Sequence, residues 1–175
     1  MRYIALLRGV NVGGNTMIKM AELKNLFTLL GFENIATYIN SGNLAFDTRK
    51  ADHNKLASRI ETAIEKDLGK TVPVIIREQS DIARIIDANP FAGQFDSHKE
   101  MHVVFLTENM PEEKEKQLLA AAPECERFVV NGREIYCHLP KGVADSLLGK
   151  SFIEKKLKLS VTGRNWRTVE KLAVL

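Results

Sequence analysis

The sequence predicts an α+β protein built from two similar halves, and three observations support this. Short apolar runs of strand length alternate with amphipathic segments of helical period, and Gly, Asn and Ser separate them. The first half gives the order β-α-β-β-α-β of the ferredoxin-like split unit, whose antiparallel sheet carries two helices on one face. The second half echoes it as β-α-β-β-α-α. We therefore expect a ferredoxin-like lobe at 1–79 and a smaller lobe at 80–175, packed as one compact unit.

The first half opens on a continuous apolar run from Tyr3 to Leu7. A run without alternation is typical of a central strand that is buried on both faces. Apolar residues then recur at helical spacing up to Gly31, a residue type that commonly ends helices. Ser41-Gly42-Asn43 separates two strand-like runs and predicts a hairpin. The predicted strands are 3–7, 34–40, 44–47 and 72–77, and the predicted helices are 20–30 and 56–68.

The second half contains the strongest hairpin signal of the chain, Asn131-Gly132 between two strand-like runs. Pro111 is followed by several Glu residues and opens a helix, as the helix dipole prefers. Ser151 and Glu154 form the capping-box pattern of a further helix. The predicted strands are 102–106, 127–131 and 134–138, and the predicted helices are 81–88, one that opens at Pro111, 151–158 and 165–173.

The composition is that of an ordinary globular protein, with 45% apolar and 27% charged residues. The net charge of +3 is too small to indicate nucleic-acid binding by itself. The charge is uneven, because 150–175 contains seven cations and only two Glu residues. A basic end of this kind suits an acidic ligand or partner, although an ordinary solvated surface explains the same pattern.

The sequence also predicts where the protein resides. No leader peptide precedes the first strand, and no apolar stretch is long enough to span a bilayer. We therefore expect a cytoplasmic protein with no membrane association. Its two cysteines, Cys125 and Cys137, are then expected to be free thiols.

Four segments together resemble the bacterial domain-of-unknown-function family numbered 1697. They are Arg8-Gly9-Val10-Asn11-Val12-Gly13-Gly14, Tyr38-Ile39-Asn40-Ser41-Gly42-Asn43, Asn89-Pro90-Phe91 and Thr162-Gly163-Arg164-Asn165-Trp166-Arg167-Thr168-Val169. The resemblance covers nearly the whole chain and implies an α+β fold with a ferredoxin-like N-terminal lobe. It implies no reaction, substrate or cofactor. Asn40 departs from the Gln that the resemblance leads us to expect; it is shorter by one methylene and keeps the amide.

The glycine-rich loop after the first strand is the first candidate site. A loop between a buried strand and a helix can direct backbone N–H groups at an anion, and glycine permits close approach. Neither a P-loop nor a dinucleotide fingerprint is present, because the Gly-Lys-Ser/Thr ending is missing and the glycine spacing differs. The alternative is a connection that needs glycine only for its turns. The candidate ligand-binding residues are Arg8, Asn11, Gly13, Gly14, Asn15 and Lys19.

The second candidate comprises Arg164, Asn165 and Arg167 at the predicted start of the last helix. Arg164, Arg167 and Lys171 have the spacing i, i+3 and i+7 and would share one helix face. Two guanidinium groups beside a helix N-terminus suit a phosphate or carboxylate. The alternative is that one of the arginines pairs with a carboxylate at the edge of the core and fixes the C-terminal segment.

Ser41 and Asn43 form a third candidate, although a hairpin turn explains both residues without any function. Nothing marks Ser41 as a nucleophile, since it lies outside any Gly-x-Ser-x-Gly motif and no His is near it in sequence. His98 and His102 have the i, i+4 spacing of a metal pair, but that stretch passes from a loop into a strand. We therefore expect no metal and no cofactor.

These segments suggest a cytosolic module that binds a small anionic or phosphorylated ligand. If they converge in the fold, Asn11, Asn15, Asn43, Arg164, Asn165 and Arg167 would line one cleft. Two alternatives stay open. One is a nucleic-acid-associated protein that uses the basic C-terminal face. The other is a protein-interaction or oligomerisation module. No residue pattern predicts a reaction.

Overall fold

The computed structural model describes residues 1–13 and 16–175, so the candidate residues Gly14 and Asn15 lie outside the described residues. Mixed helix and strand content confirms the predicted α+β class. The strands are β1 Arg2–Leu7, β2 Glu33–Thr37, β3 Asn43–Asp47, β4 Val74–Glu78, β5 Met101–Leu106, β6 Arg127–Asn131, β7 Glu134–His138 and β8 Val161–Asn165. The helices are α1 Met20–Leu29, α2 His53–Leu68, α3 Gln79–Asp87, α4 Glu112–Ala121, α5 Phe152–Lys155 and α6 Trp166–Leu172.

The chain divides into two units, Met1–Arg84 with Glu170–Leu175 and Ile85–Val169. Each unit contains a four-stranded antiparallel sheet, with the order β2-β3-β1-β4 in the first and β6-β7-β5-β8 in the second. The first strand of each unit therefore lies in the middle of its sheet. The separation into folding domains at residues 79 and 80 stays a prediction.

The core of the first unit forms between one face of its sheet and the helices α1 and α2. Tyr3, Ala5 and Leu7 alternate along β1 and pack with the apolar stripes of the two helices. Ile4 and Leu6 on the other face are also fully buried, as the continuous apolar run predicts for a central strand. Asp52 begins α2 by accepting a hydrogen bond from the Lys55 backbone N–H, and Gly69 ends it in the left-handed conformation.

The second unit contains a strand that the sequence analysis missed. β8 pairs with β5 from Val161 opposite Leu106 to Asn165 opposite His102, so this half follows the order β-α-β-β-α-β before its last helix. The apolar pattern of Val161–Asn165 is too weak to show a strand, because Val161 is followed only by Gly163 and three polar residues. Thr162 and Arg164 are nevertheless buried, since the Arg164 Nη1 donates to Thr162 Oγ1 at 2.7 Å and to the Gly163 carbonyl at 2.8 Å.

The helix predicted at 151–158 is a single turn, Phe152–Lys155. Ser151 has a left-handed φ of 58°, whereas an N-cap needs extended backbone for its side chain to reach the first turn. Its hydroxyl makes no capping bond. The Ser-x-x-Glu pattern therefore does not form a capping box here.

Gly42 brings the β2–β3 turn against the end of β1. Its carbonyl accepts from the Leu7 N–H at 2.8 Å, and its φ is +74°. A Cβ at this position would lie 2.7 Å from Leu7 Cβ and 3.2 Å from the Leu7 carbonyl oxygen. Only glycine therefore fits between the turn and the strand.

Replacing Gly42 by Ala is expected to lower the free energy of unfolding by more than the same change at Gly9. Gly9 has a similar φ of +68°, but a Cβ there meets nothing within 4 Å. Gly9→Ala should cost only the left-handed strain of about 1–2 kcal/mol, and Gly42→Ala should add the contact with Leu7. Urea denaturation of the two variants measures the difference. Equal losses of unfolding free energy would show that the turn is not in tight contact with β1.

His102 is a buried histidine in the sheet of the second unit. His102 is 9% exposed. This burial lowers the pKa of its imidazole to about 4 from the ordinary 6.5. His138 on β7 is also buried, and desolvation, with the positive charge of Arg127, lowers its pKa as well. Both imidazoles are therefore neutral at pH 7. Protonation of either one in acid requires a charge in the core and so favours unfolding.

The second unit should lose stability as the pH falls from about 6.5 to about 4. In this window unfolded His102 takes up a proton and folded His102 does not, so its contribution is complete above pH 6.5 and disappears at pH 4. The pKa difference corresponds to at most about 3 kcal/mol. Denaturation followed through Trp166, the single tryptophan of the chain, measures the loss. His102→Gln should reduce the pH dependence, and an unchanged dependence would rule out this residue as its cause.

Candidate ligand-binding recess

Asn11 fastens the connection between β1 and α1. Its Nδ2 donates to the carbonyls of Ile18 and Asn40, both at 2.8 Å, and its Oδ1 accepts from the Ile18 N–H at 2.9 Å. Its own N–H donates to the Thr16 carbonyl at 2.8 Å. One side-chain amide thus joins three chain segments: the end of β1, the approach to α1 and the β2–β3 turn.

The β2–β3 turn is itself held by several hydrogen bonds. Asn43 is fully buried and donates to the Tyr38 carbonyl at 3.2 Å and to Ser41 Oγ at 3.0 Å, and the Tyr38 N–H donates to the Asn43 carbonyl. Between them Ile39 has a φ of 49° and is 54% exposed. A β-branched residue in this conformation is strained and persists only where its neighbours fix the backbone.

A recess of about 610 Å³ opens beside these segments. The described residues that line it are Asn11, Met17, Ile18, Lys19, Met20, Glu22 and Asn40. Three of these side chains are apolar, and Met17 is 65% exposed. The recess therefore offers an apolar wall on a frame that hydrogen bonds fix in place.

Lys19 and Glu22 supply the charges of this recess. Lys19 is the N-cap residue of α1, as its predicted place near the helix start requires. The Glu22 Oε2 accepts from the Lys19 backbone N–H at 3.3 Å, so a carboxylate of the chain already occupies the donor side of this helix start.

The remaining candidates of the first unit have different settings. Arg8 is half-buried, and its N–H donates to the Pro73 carbonyl. Gly13 is exposed with a φ of 64°, and Ser41 is half-buried in the turn. Of the predicted set, the structure brings Asn11 and Lys19 to one recess and uses Asn43 inside the turn.

The candidates of the second unit differ from the helix-start arrangement that the sequence predicts. Arg164 lies in β8 and is 8% exposed, and burial lowers its pKa to about 10, so it does not share an exposed helix face with Arg167 and Lys171. The Asn165 Oδ1 accepts from the Thr168 N–H at 2.9 Å and closes the start of α6. Arg167 is exposed on α6. The convergence of these residues with Asn11 stays a prediction.

The residues that sequence reasoning missed at the recess are Met17, Ile18, Met20, Glu22 and Asn40. One signal was present, because Met17 is an apolar residue that precedes the helix and lies outside its core-facing stripe. Asn40 belongs to a segment of the family resemblance, but not to the residues predicted to bind a ligand. It reaches the recess because its carbonyl is bound by a residue 29 positions earlier.

The potential metal ligands and the two cysteines of the described residues have the following settings. Within residues 1–13 and 16–175, no three His, Cys, Asp or Glu side chains are grouped as metal ligands. Cys137 is fully buried, which raises the pKa of its thiol, whereas Cys125 is exposed. Across the same residues no helix has the length and apolar character needed to cross a bilayer.

The fold and the recess define a class of protein: a two-unit α+β chain with a small cavity at the connection between β1 and α1. The chain belongs to the family described as a protein of unknown function (DUF1697), whose model matches residues 1–136. It is similar in fold to the conserved bacterial protein SP0830 from Streptococcus pneumoniae, with a TM-score of 0.78 and 22% identity over 99% of this chain and 97% of that chain. No curated protein matches the sequence.

Replacing Asn11 by Asp is expected to destabilise the first unit. The carboxylate keeps the acceptor for the Ile18 N–H but faces the carbonyls of Ile18 and Asn40 without a proton to donate. Two lost hydrogen bonds predict a loss of roughly 1–3 kcal/mol. The loss should shrink in acid, where a protonated Asp can again donate one bond. Urea denaturation at neutral and acidic pH checks this, and an unchanged stability at both would contradict the role given to Asn11.

Proposed function

We propose that this chain is a binding protein whose ligand is a small molecule with an apolar part and one anionic group. The observation that carries the proposal is the recess beside Asn11, which combines apolar walls with the Lys19 ammonium group on a fixed frame. Its volume of about 610 Å³ falls within the range of sites for small molecules, roughly 300–1,000 Å³.

The lining chemistry favours a ligand of mixed character. Met17 and Met20 provide an apolar wall. Met17 is 65% exposed, so its burial by an apolar group would be favourable, and methionine adapts to irregular shapes. Lys19 is the cation among the described lining residues, and the charge of Glu22 opposes a highly charged ligand. A single carboxylate or a phosphate monoester on an apolar body therefore fits better than a polyanion.

The backbone strain beside the recess supports a binding role. Asn11 and Ile39 both have positive φ values, and Ile39 exposes its side chain next to Asn40 of the lining. Strained residues cluster at ligand sites because the surrounding structure must hold the productive geometry before the ligand arrives. A turn needed only to connect two strands gains nothing from an exposed left-handed isoleucine.

Replacing Lys19 by Ala should weaken ligand binding roughly tenfold or more, since one charge-assisted contact to the anionic group is lost. The measurement is thermal shift followed by calorimetry with a panel of carboxylates and phosphate monoesters that carry apolar groups of increasing size. Met17→Gln should weaken the ligands with large apolar groups most.

Lys24→Ala is the matched control, because Lys24 is an exposed lysine of α1 that does not line the recess. It removes the same charge and should leave binding unchanged. If no panel member stabilises the parent chain, or if Lys19→Ala and Lys24→Ala affect binding equally, the proposed site is wrong.

A further inference from the structure

A second recess of about 730 Å³ lies elsewhere on the first unit, and more cationic than anionic side chains line it. It is formed around the connection between β3 and α2, with the start of β2 and one face of α2. The described residues that line it are Met1, Gly31, Glu33, Asp47, Thr48, Arg49, Lys50, Ala51, Leu56 and Arg59. None of the candidate residues from the sequence analysis is among them.

Three cationic side chains line this recess: Arg49, Lys50 and Arg59. Within residues 1–13 and 16–175 none of the three forms an ion pair. Two carboxylates, Glu33 and Asp47, are also present. The balance at the recess therefore depends on whether these carboxylates are already compensated.

Asp47 is compensated within the sheet. Its Oδ2 accepts from Asn34 Nδ2 at 2.7 Å, and its Oδ1 accepts from Arg2 Nη1 at 3.2 Å. The hydrogen bond from Asn34 and the charge of Arg2 lower the pKa of this carboxyl group. With Asp47 paired to Arg2, Arg49, Lys50 and Arg59 outweigh Glu33, and the recess has an excess of positive charge.

Arg59 is held in a defined position. Its Nη2 donates to the Leu30 carbonyl at 2.6 Å, and its Cζ lies 5.2 Å from the centroid of the Phe32 ring. A guanidinium group fixed by a carbonyl and an aromatic face loses little side-chain freedom when it binds a further oxygen. The Leu30 carbonyl uses one of its five N–H groups, so the rest of the fork is open to an oxyanion.

We infer that this cationic recess binds the phosphate group of a small phosphorylated molecule. Arg59 provides the fixed donor group, and Arg49 and Lys50 close over the phosphate from the preceding loop. Thr48 and Glu33 provide polar groups that could contact the sugar or nucleoside part of the ligand. The site is separate from the recess beside Asn11 and does not depend on the function proposed for it.

The test uses inorganic phosphate and pyrophosphate as probes at constant ionic strength. Binding is followed by calorimetry and by NMR shifts of the Thr48, Arg49 and Lys50 amides. The double variant Arg49→Ala/Lys50→Ala should weaken pyrophosphate binding roughly tenfold or more. Arg59→Lys keeps the charge but loses the fork, so it should weaken binding by less.

Lys66→Ala/Lys70→Ala is the matched control, since both lysines are exposed in the first unit and neither lines this recess. It removes the same two charges and should leave binding within about twofold, as expected for distant surface charges screened by salt. No saturable binding by the parent chain, or an equal loss in the two double variants, would overturn the inference.

Discussion

The geometry of the first unit depends on one side-chain amide. Asn11 provides two donated bonds and one accepted bond, and its partners belong to segments that are far apart in sequence. No aliphatic residue of this size supplies both donor and acceptor, and Asp supplies only acceptors when ionised. The end of β1, the approach to α1 and the β2–β3 turn are therefore positioned together. The recess beside them has its shape because this amide satisfies backbone groups that would otherwise need water.

The fourth strand of each unit contains a buried arginine at the same position. Arg77 of β4 pairs with Ile4, and Arg164 of β8 pairs with Val103, so each arginine is the fourth residue of a five-residue strand. Both are buried, and each donates through Nη1 to the carbonyl of the residue before it, at 2.9 Å and 2.8 Å. A helix follows directly after each strand. The structural repeat is therefore closer than the sequence suggests, because it is carried by two polar residues instead of an apolar pattern.

Sequence reasoning succeeded where a local signal decides the structure. The Asn131-Gly132 turn predicted β6 and β7 at the residues where they occur, and the unbroken apolar run predicted that β1 is central and buried. Sequence reasoning failed at β8, because pairing with β5 and the hydrogen bond from Arg164 to Thr162 outweigh the weak strand propensity of this segment. Ser151 failed as a cap because its backbone has a positive φ, which keeps its hydroxyl from the first turn.

The candidate sites were harder to predict for a physical reason. The glycine-rich loop predicted Asn11 and Lys19 as site residues, but the fold, and not the neighbouring sequence, decides what the Asn11 amide binds. The cationic recess was missed because Arg49, Lys50 and Arg59 belong to a loop and a helix, and the carbonyl that fixes Arg59 lies 29 residues away. Cationic residues that are separated in sequence can form an anion site only where the fold brings them together and nearby carboxylates are paired with other cations.

The most direct measurement is two-dimensional NMR of the chain with the tightest ligand of the carboxylate and phosphate monoester panel. The account predicts that the largest shifts fall on the amides of Ile18, Lys19 and Met20, on Asn40, and on the side-chain NH₂ of Asn11. These are the groups that frame the recess. Shifts confined to the second unit, with the Asn11 side chain unperturbed, would contradict it.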